Sequence, residues 1–186
     1  MARYVLPCVV LVPCVDGFYL KVEDAFTLED LRTLSGVEEI ASSVVYSQKT
    51  HILRVLESKS SSLGLPIRLE PFQFDLVVVA GLTTFPEGQP AEIANFGLID
   101  KYNSLATITS GGFEDETTYR TAVRCAGKLV LYIRKHTSLP KVTVDGRSVD
   151  PRAVAVAGGH MVTIDLYAFL DDRQADGDFI VEASFL

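Results

Sequence analysis

Apolar and polar residues alternate one for one near the end of the chain. Val162, Ile164, Leu166, Ala168 and Leu170 fall on one side, and Thr163, Asp165, Tyr167 and Phe169 on the other. Phe179, Val181, Ala183 and Phe185 alternate in the same way with Ile180, Glu182 and Ser184. A period of two marks a strand with one buried face. The pattern predicts strands over 161–169 and 178–185, and the polar link 171–177 predicts that they pair as an antiparallel hairpin.

Further strands are predicted upstream over 67–70, 72–80, 105–109, 119–126, 128–135, 142–144 and 154–156, with extended chain around Ile99. Turn residues punctuate them at Gly81, Pro86 to Gly88, Gly111-Gly112, Asp145-Gly146, Gly158-Gly159 and Asp176-Gly177. Segments 3–12 and 17–22 are also rich in β-formers. The Pro13 to Gly17 link predicts a hairpin between them.

One region has a different period. Val37, Ile40, Ala41, Val44 and Val45 recur at helical spacing. Thr27 with Asp30, and Ser35 with Glu38, resemble capping boxes. Helices are therefore predicted over 28–34 and 36–47, while 51–57 suits a helix or a strand. Residues 58–64 form a Ser-rich loop. The expected fold is mainly β in an α+β chain: an antiparallel β-sandwich, jelly-roll-like, with a short helical segment near the N-terminus. It is expected to form a single domain over 1–186, with the helical insertion at about 27–57.

Composition adds constraints. The chain has 186 residues, of which 48% are hydrophobic and 22% charged, enough for a core without disulfides or metals. The apolar run 4–15 is broken by Pro7 and Pro13 and is too short to cross a bilayer, so neither a signal peptide nor a membrane span is expected. Cys8, Cys14 and Cys125 are too irregularly spaced for a disulfide framework and read as reduced thiols. Cys8 and Cys14 lack a second ligand pair for zinc. No cofactor is expected.

Net charge is −7, which argues against non-specific nucleic-acid binding. The charge is unevenly spread. Arg120, Arg124, Lys128, Arg134, Lys135, Lys141, Arg147 and Arg152 form a basic stretch, while Asp165, Asp171, Asp172, Asp176, Asp178 and Glu182 follow it. Three readings stay open. The basic strands are neutralised by the protein's own acids, they meet an acidic neighbouring subunit, or they touch nucleic acid.

Chemistry is sparse. No metalloprotease, phosphate-loop, dinucleotide or nucleophile-elbow motif is present. Cys14, His160 and Asp165 or Asp171 stand in the order of a papain-like hydrolase, yet Cys14 sits in a turn where such sites use a helix N-terminus. Glu114-Asp115-Glu116 carries oxygen ligands for a hard cation but lacks the alternation of a calcium loop.

The stretch 162–185 resembles the final two strands of the single jelly-roll coat proteins of small icosahedral plant viruses, the bromovirus type. Lys128 to Arg134 is similar to a strand those proteins use. The resemblance implies a virion protein. The departure is that Arg3 is the only cation among the first 20 residues, where such proteins carry a basic arm. The expected function is a non-enzymatic, self-associating viral coat subunit, located in the virion or host cytoplasm and not secreted. Its expected partners are itself or other virion proteins. A matrix-type or adaptor module is the alternative, and a cysteine hydrolase the third.

Overall fold

The computed structural model describes residues 8–13, 22–26, 42–57, 64–70, 74–84, 91–136, 138–156, 158–170 and 178–185. The chain is mainly β, and every strand pairing among the described residues is antiparallel. It divides into two compact units, Met1–Leu82 and Thr83–Leu186.

In the first unit, β1 (Cys8–Pro13), β3 (Ser43–Ser47), β4 (Leu53–Leu56) and β6 (Phe74–Gly81) form one sheet in the order β1-β6-β3-β4. Strands β2 (Val22–Phe26) and β5 (Leu65–Leu69) form a separate pair. Residues Asp75 to Ala80 are all buried, so β6 is covered on both faces, which accounts for its unbroken apolar run. In β5, buried Leu65, Ile67 and Leu69 alternate with exposed Pro66 and Arg68, a half-buried strand.

One expectation changes here. The helix over 36–47 is overturned at its end, because Ser43–Ser47 is strand β3, paired with β6 and β4. Val44 and Val45 match a helical period, but their β-branched side chains also suit a pleated sheet, and pairing on both edges decides. Residues 28–34 and 36–41 of the expected helices lie outside the described residues. Of the expected N-terminal hairpin, Cys8–Pro13 is strand β1 and pairs with β6, while its turn and nearly all of its second strand, residues 14–21, lie outside the described residues.

The second unit is a sandwich. One sheet has the order β13-β12-β16-β10-β9: β9 is Ile108–Phe113, β10 Thr118–Val123, β12 Lys141–Val144, β13 Arg147–Val149 and β16 Phe179–Ser184. The other has the order β14-β15-β11-β8-β7: β7 is Thr83–Thr84, β8 Glu92–Leu98, β11 Lys128–Arg134, β14 Arg152–Val156 and β15 Gly159–Asp165. Leu129, Leu131, Ile133, Val162 and Ile164 of the second sheet share a core with Val142, Val144, Phe179, Val181 and Ala183 of the first. Burial of these alternating faces stabilises each large side chain by about 1.5–3 kcal/mol.

The expected C-terminal hairpin is corrected by this arrangement. β15 pairs with β11 and β14, whereas β16 pairs with β10 and β12. Both strands line the same core, and their matched alternation reflects burial there, not shared hydrogen bonds. β15 also stops at Asp165, and Leu166–Phe169 is a 3-10 helix. Gly111 and Gly112 lie inside β9, not in a turn. The Asp145-Gly146 turn forms as expected: φ values of 50° and 78° fit the tight type I′ link between β12 and β13.

Candidate functional site

Several strand ends of the second unit converge at one end of the sandwich. β8 ends at Leu98, whose carbonyl accepts from the Lys101 amide at 3.0 Å and closes a turn. That turn presents Asp100, Lys101 and Tyr102. The Asp100 Oδ1 accepts from the Lys128 amide at 2.8 Å, and its Oδ2 accepts from the Tyr167 hydroxyl at 3.0 Å. The Lys101 ammonium donates to the same hydroxyl at 3.0 Å and lies 5.4 Å from the ring centroid. Donation thus runs in one direction, from ammonium to phenol to carboxylate. The hydrogen bond to Tyr167, helped by the Asp100 charge, raises the Lys101 pKa above its ordinary value.

Local structure explains the placement. Asp165 caps the 3-10 helix Leu166–Phe169 by accepting from the Tyr167 amide at 3.0 Å, and the Leu166 amide donates to the Gly127 carbonyl at 2.9 Å. A Cβ at Gly127 would stand 2.8 Å from Asp100 Oδ1 and 3.0 Å from Leu98 Cδ1, so a larger residue there would push the Asp100 carboxylate from its place. Tyr102 is 72% exposed and Tyr167 43% exposed. Aromatic surface beside a fixed carboxylate and ammonium can hold a molecule with an apolar face and a hydroxylated edge.

Deeper in the sandwich, Asn95 of β8 ties the sheets together. Its Nδ2 donates to Tyr119 Oη at 3.3 Å and to Thr121 Oγ1 at 3.0 Å, and its Oδ1 accepts from the Gly97 amide at 2.9 Å. Burial pushes the Tyr119 phenol up, against the opposing effect of the Asn95 bond. Gly97, at φ 66°, sits where the β8–β11 register shifts.

The residues singled out from sequence are dispersed. His160 and Asp165 lie five residues apart on β15, about 16 Å along the strand and on opposite faces. Cys14 and Asp171 lie outside the described residues, so no hydrolase arrangement is assembled among the described ones. Asp115 Oδ1 is turned onto its own loop, accepting from the Thr117 and Thr118 amides, each at 2.7 Å. Those bonds, the Thr117 amide first, hold its carboxyl below the usual range. Among the described residues no group of three or more His, Cys, Asp or Glu is placed to hold a metal ion.

The basic stretch does not line one face. Arg120, Lys141 and Arg147 lie on the β9-containing sheet, Lys128, Arg134 and Arg152 on the other, and Arg124 and Lys135 beyond strand ends. Arg120 pairs with Glu114 at 2.9 Å and approaches Glu182 at 3.8 Å. Arg134 pairs with Glu92, which also accepts from Lys135 at 2.7 Å. Burial alone would raise the Glu92 pKa, but the hydrogen bonds from Arg134 and Lys135 prevail and lower it. Asp178 is exposed just before β16, and Asp171, Asp172 and Asp176 lie outside the described residues. Glu92, Asp100, Lys101 and Tyr167 carry these contacts, yet no motif or spacing marks them in the sequence.

Against this geometry, a family model described as raffinose synthase or seed imbibition protein Sip1 matches residues 18–158. The chain belongs to this family. A comparison with curated proteins gives no match. Membership in the raffinose synthase family overturns the resemblance to viral coat proteins, and with it the coat-subunit function and the virion location. The raffinose synthase family is enzymatic, which also corrects the expectation of a non-enzymatic protein. The coat resemblance rested on alternating strands and an acidic link, features of antiparallel sandwiches in general. The structure places those two strands in different sheets.

Among the described residues, no helix is long and apolar enough to cross a membrane.

Proposed function

We propose that this chain works in galactoside chemistry as a raffinose synthase-type enzyme or a β-sandwich part of one, and that the sandwich end formed by Asp100, Lys101, Tyr102 and Tyr167 holds the sugar. The observation that carries the reading is the family match over residues 18–158. The geometry supports the location. A pyranose has an apolar C–H face that suits the exposed tyrosines, and vicinal hydroxyls that suit a carboxylate and an ammonium held 3.0 Å from one phenol.

The test is a titration of the protein with raffinose, sucrose and galactose by saturation-transfer NMR, alongside chromatography for hydrolysis or galactosyl transfer. Saturable galactoside binding, weakened by Tyr167→Ala and by Asp100→Asn, is expected. Absence of saturable binding together with absence of turnover would overturn the proposal.

A further inference from the structure

A second surface carries its own argument. Register places Ser148, Thr143, Glu182, Arg120 and Gly112 in one line across all five strands of the β9-containing sheet. Val142, Val181, Tyr119 and Thr121, their neighbours along the strands, are buried on the inner side, so the line lies on the outer face. Five strands at about 4.8 Å spacing make a line about 19 Å long.

The line is pre-arranged. Arg120 is held by Glu114 at 2.9 Å and approaches Glu182 at 3.8 Å, while Thr143 Oγ1 donates to the other Glu182 oxygen at 3.3 Å. At its far end Gly112 leaves open space, since a Cβ there would meet nothing within 4 Å. A parallel line of Lys141, Ser184 and Thr118 adds hydroxyls on one side, and half-buried Ile180 and Ala122 form an apolar strip on the other.

We infer that this outer face binds a neutral oligosaccharide of three to four hexoses laid across the strands. The inference rests on the galactoside reading above for the class of ligand. Strand spacing is close to the length of one pyranose ring, so successive rings meet successive polar side chains, with the apolar strip beneath their C–H faces. Charge selects against other occupants. Glu114 and Glu182 are balanced by Arg120 and Lys141, so the face carries no net charge with which to hold phosphates, nucleic acid or acidic sugars.

The experiment is amide-shift NMR on the isotope-labelled full chain, titrated with raffinose and separately with trigalacturonate. Raffinose is expected to shift amides of β9, β10, β12 and β16, and trigalacturonate to leave them unmoved. Gly112→Val, which fills the open end, and Arg120→Gln should each weaken the outer-face shifts about tenfold or more. Unchanged amide dispersion would show that each variant folds. Tyr167→Ala should leave these shifts intact. Raffinose shifts confined to the sandwich end would overturn this inference and spare the first proposal. Shifts confined to the outer face would do the reverse. Equal response to trigalacturonate, or outer-face shifts that survive both variants, would also overturn the inference.

Discussion

Asn95 on one sheet donates to Thr121 on the other across 3.0 Å, and the same amide group accepts from Gly97. One side chain therefore joins the two layers and sets the start of the turn that carries Asp100 and Lys101. Asn95→Ala removes the donor to the fully buried Thr121 and the support of the bulge. A loss of about 1–3 kcal/mol in stability is expected by denaturant melting. Weaker galactoside binding should accompany it, although Asn95 is a positioning residue that does not itself line the sugar site.

Gly97→Ala should be more damaging. The position sits at φ 66°, and an added Cβ would collide with the Ser104 backbone carbonyl. Both strain and steric overlap act on the backbone, so neither is relieved by a rotamer change. A large fall in Tm, or failure to fold, is the expected result of a thermal melt. A melt like that of the natural sequence would contradict the close approach of the two turns.

Glu92 gives the second unit an acid-sensitive element. Its side chain is 11% exposed and bonded to Arg134 and Lys135, and its folded pKa is lowered. The unfolded chain therefore binds this proton more readily than the folded one. The resulting stability is present above the unfolded carboxyl range, near 4.3, and is lost as pH falls through the folded pKa. Glu92→Gln should lower stability at neutral pH by about 1–3 kcal/mol and flatten the dependence below about pH 4.5. Melts across a pH series check both.

Asp75 anchors a turn in the first unit. It is 2% exposed and accepts from Ser47 Oγ at 2.5 Å and from the Lys49 amide at 3.1 Å. Thr50 joins the same cluster, its amide donating to Ser47 Oγ at 3.0 Å, so the carboxylate anchors the turn between β3 and β4. Asp75→Ala removes an acceptor from a buried network, at a cost of about 1–3 kcal/mol. Hydrogen exchange should quicken most at residues 48–52, with little change in β10 and β11.

Much of the β architecture was legible in the residues. Strands 128–134, 142–144 and 179–184 follow from runs and alternation that only a sheet can bury, and Asp145-Gly146 announces its own turn because few other pairs accept two positive φ values. β8 was not read as a strand. Gly97 and the polar Glu92 and Asn95 break its pattern, and those residues are the ones that make a bulge, an ion pair and an inter-sheet bond. The helix expected at Val44 and Val45 failed because period alone cannot show that partners wait on both edges.

The sequence by itself determined which side chains needed burial, where turns had to fall, and that the chain is mainly β. These are local matters of backbone sterics and of hydrophobic period. Only the tertiary structure decided which strands pair and which share a core across two sheets. It joined Asp100 to Tyr167 across 67 positions of chain and Glu92 to Arg134 across 42. It also set Arg120 between two carboxylates, the neutralisation by the protein's own acids that the linear count of charge had left as one of three readings. Alternation records that a residue is covered but carries no information about what covers it, so pairing had to come from the whole chain.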